Sequence, residues 1–149
     1  VYCAVNSASS AGAAMKLDAF AAIDGHQLWS VPGAQFITGG QAQSIPVVHG
    51  VLYATAYQNT TVGMGPPSAM LLAVNVLTGA TLWSVPLTGF SSTPLVAGTG
   101  VYLALQVLPT GPTPTPGNAS IAAFNSANGA ALWHVQTMSP MLQLVTLPS

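Results

Sequence analysis

The chain has 149 residues, of which half are hydrophobic and only 2% are charged. One lysine without any arginine cannot neutralise nucleic-acid phosphates or anionic lipid headgroups, which excludes partners of both kinds. Gly, Pro, Thr and Asn interrupt every apolar run well short of the length that a transmembrane helix needs. A surface with so little charge calls for glycans, burial in a large assembly or further protein segments to stay soluble.

The chain opens on a strand pattern, Val1–Val5, with neither an initiator methionine nor a basic leader before it. We therefore expect a processed protein or one segment of a longer one. Cys3 is the one cysteine, so an internal disulfide is excluded. A small buried apolar side chain is the role we expect for it.

The first predicted unit covers residues 1–33 and ends in a hairpin. An apolar strand over Ala19–Ile23 runs into an Asp-Gly pair. Gly25 turns the chain there, because glycine takes a positive φ at little cost. A second strand leaves through Leu-Trp-Ser-Val, which contains Trp29.

The second predicted unit covers residues 44–89 and holds two hairpins. The first has a strand after Pro46, a glycine turn and a strand through Tyr53. The second has an apolar strand over Leu71–Val76, a Thr-Gly turn and a Leu-Trp-Ser-Val strand that contains Trp83.

The third predicted unit, residues 91–137, repeats both hairpins. Pro94 and Tyr102 mark the first hairpin, and an Asn-Gly turn leads to Trp133 in the second. A Ser-Pro-Met sequence predicts the start of a further unit at 139–149. The three units therefore share one order of strands.

The units align on their tryptophans, which recur about every 50 residues. An alanine lies ten residues before each tryptophan, a glycine four before and a leucine one before. The repeated positions that we expect to dock one unit on the next are Ala19, Gly25 and Trp29; Ala73, Gly79 and Trp83; and Ala123, Gly129 and Trp133.

Four short strands in a unit of this length are typical of a β-propeller blade. Both faces of the strands are apolar, as in Leu71–Val74, which is what blades packed face to face require. The sequence therefore predicts an all-β fold of four-stranded antiparallel blades, in an incomplete ring of about three.

These residues resemble the quinoprotein-like, or PQQ-like, β-propeller repeat. Blades of that family carry a tryptophan-docking motif close to Ala-x-Asp-x-x-Thr-Gly-x-x-x-Trp. Here the second unit matches best, with Ala73, Asn75, Thr78, Gly79 and Trp83. The third unit is next, and the first departs most, with alanine at the acidic position. The resemblance covers nearly the whole chain.

The resemblance implies that each tryptophan packs between neighbouring blades and ties them together. The catalytic members of the family are quinone-dependent dehydrogenases that hold their cofactor with Ca²⁺. They use an acidic metal ligand, a catalytic aspartate and often two adjacent cysteines. This chain has no glutamate, one cysteine and two aspartates close together, so we expect no cofactor and no enzyme activity. Non-catalytic members serve as binding or assembly scaffolds.

Other chemistry-bearing residues do not form a recognisable site. His26, His49 and His134 occupy non-equivalent places, without the spacing of a metal site. Asp18 and Asp24 are the only carboxylate side chains, and a turn role for Asp24 is a better interpretation than an acid–base pair. We therefore expect no metal ion and no catalytic residue.

Inserts rich in Ser, Gly, Pro and Thr are expected to form solvent loops at equivalent places, namely 7–15, 59–70 and 108–120. Asn59 and Asn118 begin sequences that match the N-glycosylation pattern, one in each of two successive inserts. The Thr-Pro run at 109–116 is a candidate for O-linked sugar. Together these features favour a secreted or cell-surface protein.

Three functions stay open. The first is a non-enzymatic structural or assembly protein that associates with itself, in a filament or surface layer, because unpaired strand edges have almost no charge to guard them. The second is a ligand- or protein-binding scaffold, for which a rim cluster of Phe36, Tyr57 and Phe90 would argue. The third is a fragment of a quinone-dependent dehydrogenase whose site lies in blades outside this sequence.

Overall fold

The computed structural model describes residues 2–7, 14–32, 35–36, 45–57, 68–107 and 118–137. Every regular element in these residues is a β-strand, and the strands form three antiparallel sheets that follow one another along the chain. Among the same residues, no helix has the length and apolar character needed to cross a membrane. The prediction of an all-β fold with antiparallel blades is confirmed.

The first sheet has three strands. β1 (Tyr2–Ser7) pairs with β2 (Ala14–Phe20), and β2 pairs with β3 (Gln27–Pro32). Trp29 lies opposite Ala19, and the register shifts directly after that alanine.

The second sheet contains β4 (Gln35–Phe36), β5 (Val47–Val48), β6 (Val51–Tyr57), β7 (Ser68–Asn75) and β8 (Thr81–Thr88). Its centre is the run β6, β7, β8. The short strands β4 and β5 both pair with β6, at opposite ends of it, and together form the fourth strand of the blade.

The third sheet repeats this arrangement with β9 (Phe90–Ser91), β10 (Leu95–Ala97), β11 (Gly100–Val107), β12 (Asn118–Asn125) and β13 (Ala131–Thr137). Here β9 and β10 line β11 as β4 and β5 line β6. Among the described strands, the tryptophan strands β3, β8 and β13 each pair with one neighbour only and lie at the edges of their sheets.

The second sheet buries both of its faces. Leu71 belongs to a buried cluster with Val101 and Leu103 of the third sheet, whereas Leu72 belongs to a cluster with Leu17 of the first. Successive residues of a strand point to opposite faces, so a strand covered on both sides needs an unbroken apolar run. This is the reason for the Leu-Leu-Ala-Val sequence in β7.

Two expectations about the loops need correction. The inserts are shorter than predicted, because their last residues already belong to strands: β2 begins at Ala14, β7 at Ser68 and β12 at Asn118. The glycine turns are wider than a two-residue hairpin, since Gly79 N–H donates to the carbonyl of Asn75, four residues earlier. The unit boundaries 1–33, 44–89 and 91–137 stay a prediction, and the unit expected at 139–149 lies outside the described residues.

Candidate functional site

The turn before each tryptophan has the same backbone in all three sheets. The glycine N–H donates to a carbonyl four residues earlier, over 2.9 Å at Gly79, 2.8 Å at Gly129 and 3.0 Å at Gly25. All three glycines have φ between 73° and 76°. This left-handed conformation favours glycine over any residue with a Cβ.

An asparagine side chain reinforces two of these turns. Asn75 Oδ1 accepts from the N–H of Leu77 at 2.9 Å, and Asn125 Oδ1 accepts from the N–H of Ala127 at 2.8 Å. Such local bonds are a common reason for asparagine in turns. The first sheet has Ala21 at the equivalent position and cannot make this bond.

The first and second sheets meet at Trp29. Its indole Nε1 donates to the carbonyl of Val76 at 2.8 Å, across the sheet boundary. A Cβ on Gly79 would lie 2.8 Å from Cδ2 of the same ring. No side chain fits between them, so glycine is required here by close approach as well as by its φ.

The second and third sheets meet in the same way at Trp83. Its Nε1 donates to the carbonyl of Ser126 at 3.1 Å, and a Cβ on Gly129 would lie 2.7 Å from Cε3 of the ring. Tyr53 adds a second donor, because its hydroxyl lies 3.2 Å from the same carbonyl oxygen of Ser126. The tyrosine and tryptophan rings lie 6.0 Å apart, tilted by 49°.

Burial raises the pKa of Tyr53 above its ordinary value of 10.0, and the hydrogen bond to Ser126 acts in the opposite direction. Burial dominates because removing the hydroxyl from water disfavours its ionised form. Tyr53 therefore stays a neutral donor at this boundary over the whole physiological range of pH.

For Trp133 of the third sheet, the described part of the chain supplies no such acceptor. Its side chain is 46% exposed, and no indole hydrogen bond is found for it among the described residues. Its ring nevertheless lies 5.9 Å from that of Tyr102, tilted by 47°, which matches the Tyr53–Trp83 pair. Trp133 and Tyr102 therefore share the arrangement of the rings that meet the third sheet at Trp83, and no turn among the described residues contacts Trp133.

The first sheet shows the opposite half. Gly25 is exposed, and no atom of the described residues lies within 4 Å of the place where its Cβ would be. Ala22, equivalent to Val76 and Ser126 as the residue three before the glycine, is exposed as well. Of the nine motif residues predicted, the structure brings Trp29 together with Gly79 and Trp83 together with Gly129, and leaves Gly25 and Trp133 apart from any described junction.

The remaining candidates have local roles. Asp24 accepts from both the backbone and the ring Nδ1 of His26, the latter over 2.7 Å. Asp18 is buried and accepts from Nε2 of Gln27 at 2.9 Å. In the described part of the chain, no three His, Cys, Asp or Glu side chains lie close enough to share a metal ion.

The proposed rim aromatics and sugar sites stay predictions. The backbone register places Phe36 opposite Ala56 and Tyr57 opposite Gln35, on adjacent pairs of the second sheet, whereas Phe90 belongs to the third sheet. Asn118 is the first residue of β12, and Asn59 and the Thr-Pro run lie outside the described residues.

Sequence reasoning missed the acceptors of the junctions. These are backbone carbonyls, of Val76 and Ser126, and a backbone atom leaves no residue type in the sequence. Their position, three residues before the motif glycine, is the signal that would have found them. Tyr53 and Tyr102 mark equivalent strands in the sequence. The sequence does not predict the hydrogen bond from Tyr53 to the carbonyl of Ser126.

Two comparisons with known proteins bear on this arrangement. A family model described as outer membrane protein assembly factor BamB, one of the PQQ-like repeat models, matches residues 12–149. No curated protein matches the chain. The family match covers the second and third sheets and the strands β2 and β3 of the first.

Proposed function

Since the chain belongs to the PQQ-like repeat family described as outer membrane protein assembly factor BamB, we propose that it is a non-enzymatic structural protein that assembles with other protein chains. Self-association, in a filament or surface layer, is the form we favour. We place it outside the cell or at the cell surface, with sugar on Asn59 or Asn118 as a further part of the proposal.

One observation carries this proposal: large apolar side chains are exposed at repeated positions of a chain that has almost no charge. The leucine before each tryptophan is about equally exposed in the three sheets, at 53% for Leu28, 51% for Leu82 and 50% for Leu132. Ile23 and Leu77, at equivalent places in the first two turns, are exposed almost completely. Apolar side chains exposed at the same place in successive sheets support an interaction surface, because large exposed apolar areas mark interaction sites in soluble proteins.

Charge supports the same conclusion. The whole chain carries three charged side chains, all before residue 25, so charge repulsion does little to keep two copies apart. The strands β3, β8 and β13 also lie at sheet edges that no other described strand covers, and lysine commonly guards such edges in monomeric sheet proteins.

The proposal of a non-enzymatic role rests on the composition. The chain has no glutamate and two aspartates, Asp18 and Asp24, each with a local hydrogen-bond partner. A binding scaffold for another protein is the second candidate, because the description of the family is that of an assembly factor.

Molar mass in solution, measured by light scattering over a range of concentrations, tests the proposal. We expect species larger than one chain that grow with concentration, with and without glycosidase treatment. A single-chain mass at every concentration would contradict self-association and leave the binding scaffold as the better proposal. Mass spectrometry of protein from its native source tests the sugar sites separately.

A further inference from the structure

The outer edges of the three tryptophan strands differ at the residue three positions after the tryptophan. Pro32 and Pro86 stand there in β3 and β8, whereas β13 has Gln136. We propose that β13 pairs, edge to edge and antiparallel, with β13 of a second copy of this chain, and that proline prevents the same pairing at β3 and β8. The inference rests on the proposed function, because it names the surface through which the chain associates with itself.

The backbone groups of two residues in β13 point away from β12. Hydrogen-bonded and non-hydrogen-bonded pairs alternate along an antiparallel ladder. The alternation starts at Asn125, whose N–H donates to the carbonyl of Ala130 over 2.8 Å. Every second residue of β12, counted back from Asn125, therefore bonds to β13, and the bulge does not change this count because its extra residue lies in β13. The residues in between lie opposite His134 and Gln136, which thus direct their N–H and C=O groups out of the sheet edge.

Proline in β8 supports this direction and blocks the edge there. Asn75 N–H donates to the carbonyl of Ala80, so the same count directs the backbone groups of Ser84 and Pro86 away from β7. Proline lacks an N–H and is therefore tolerated where that group would face away from the neighbouring strand. At this place β8 offers a carbonyl without a donor, and proline at an edge is a known protection against pairing with another chain. β13 has both groups.

The exposure of this edge is a property of its place in the repeat. The side chains of His134 and Gln136 are exposed, and they share a face of the sheet with Ala122, which packs in a buried cluster with residues of the second sheet. Their equivalents Ser84 and Pro86 are exposed as well, although the second sheet packs on a described sheet at each of its faces. Neighbouring sheets therefore cover the faces of a tryptophan strand and leave this edge open.

A second β13 is the occupant because the edge is complementary to itself. With Val135 opposite Val135 of the second copy, His134 of each copy lies opposite Gln136 of the other, and each outward N–H of these residues meets a carbonyl. β13 contains no lysine, arginine or carboxylate side chain, so the two copies bring no such like charges opposite each other. The same register in β8 would place Ser84 opposite Pro86 and lose half of these hydrogen bonds. The contact has two-fold symmetry and joins a pair of chains.

Gln136→Pro tests the contact by giving β13 the residue that β3 and β8 already have. The N–H that it removes faces away from β12, so the sheet itself keeps its hydrogen bonds. Each copy then loses one hydrogen bond to the other and leaves a carbonyl of its partner unmatched. We expect the association, measured by sedimentation over a range of concentrations, to weaken at least about tenfold.

Two further variants separate the backbone group from the side chain. Gln136→Ala removes the same side chain but keeps the N–H, and it is expected to associate like the unaltered chain. Pro86→Gln supplies the missing donor at β8 and leaves β13 unchanged, so it is expected to form species larger than two chains. Circular dichroism checks that all three variants fold.

A disulfide tests the register independently of proline. Val135→Cys, in a chain that also carries Cys3→Ser, places two thiols opposite each other on the two-fold axis, where a non-hydrogen-bonded pair brings them close. We expect a covalent two-chain species on mild oxidation. Val85→Cys, at the equivalent position of β8, is the matched control and is expected to stay a single chain.

The outcomes separate the two proposals. If the unaltered chain associates and Gln136→Pro does so equally, or if Gln136→Ala dissociates as well, this contact is wrong while self-association stands. Equal cross-linking of Val135→Cys and Val85→Cys would overturn the choice of β13, and a Pro86→Gln variant that forms no larger species would overturn the role given to proline. If the unaltered chain never associates, the inference fails together with the proposed self-association.

Discussion

Trp83 lies so close to Gly129 that a Cβ on the glycine would be 2.7 Å from Cε3 of the indole ring. The two residues belong to different sheets, and the indole N–H donates to the carbonyl of Ser126 in the same turn. The turn that contains Gly129 therefore offers the Trp83 ring both a glycine without a Cβ and a carbonyl acceptor. Since the same pair of contacts joins Trp29 to the second sheet, adjacent sheets are held by a repeated local unit.

Gly129→Ala is the first test of this relationship. The new methyl group must displace the indole or the turn, and overpacking of this kind typically costs about 1–3 kcal/mol. Gly50→Ala is the matched control, because Gly50 also has a positive φ but has open space around it. We expect the free energy of unfolding in urea to fall more for Gly129→Ala than for Gly50→Ala. Equal losses would mean that only the left-handed backbone matters.

Tyr53 makes the stability of the second junction depend on pH in the alkaline range. Its pKa is raised in the folded protein, so above pH 10.0 the unfolded chain releases this proton more readily than the folded one. The contribution of the neutral hydroxyl is complete below that pH and is lost as the pH rises through the folded value. We expect the unfolding free energy to fall above pH 10, and to fall less steeply in Tyr53→Phe. Parallel curves for the two proteins would contradict the raised pKa.

Much of the fold is readable from the sequence because the repeat is local. A glycine four residues before a tryptophan forms the same turn wherever it occurs, and an unbroken run such as Leu71–Val74 indicates a strand covered on both faces. Strand ends were less predictable. Asn118 to Ser120 look like loop residues, yet they belong to β12, because pairing with β11 uses backbone groups that every residue has.

The candidate site was only half predictable. The sequence marks Trp29, Trp83 and Trp133 as equivalent, and nothing in it shows that the last is more exposed than the others. That difference depends on which sheet lies beside each ring. The bond from Tyr53 to Ser126 joins residues far apart in the chain, and neither residue type is unusual for its position.

His49 is the one described residue other than glycine with a positive φ, 49°, and Gly50 follows it at 78°. Two positive values in succession are typical of a type I′ turn, which favours Asn-Gly. His49→Asn should relieve part of the left-handed cost, raising the unfolding free energy by up to about 1 kcal/mol. His134→Asn in the exposed strand β13 is the control, and no gain is expected there. A loss at His49 would show that the imidazole itself stabilises the turn.

The first turn lacks the asparagine bond that the other two turns share, although its backbone closes in the same way, with Gly25 N–H donating to Ala21. Ala21→Asn should therefore form the bond that Asn75 Oδ1 makes with the N–H two residues on. The gain expected is that of one net hydrogen bond, about 1 kcal/mol, measured as a shift of the urea midpoint at constant slope. Asn75→Ala should lose a similar amount, and Ala22→Asn, one position along, should gain nothing. If Ala21→Asn brings no gain while Asn75→Ala is destabilised, the asparagine bond depends on more than the backbone of the turn. The hydrogen bond between His26 and Asp24 would then already stabilise the first turn.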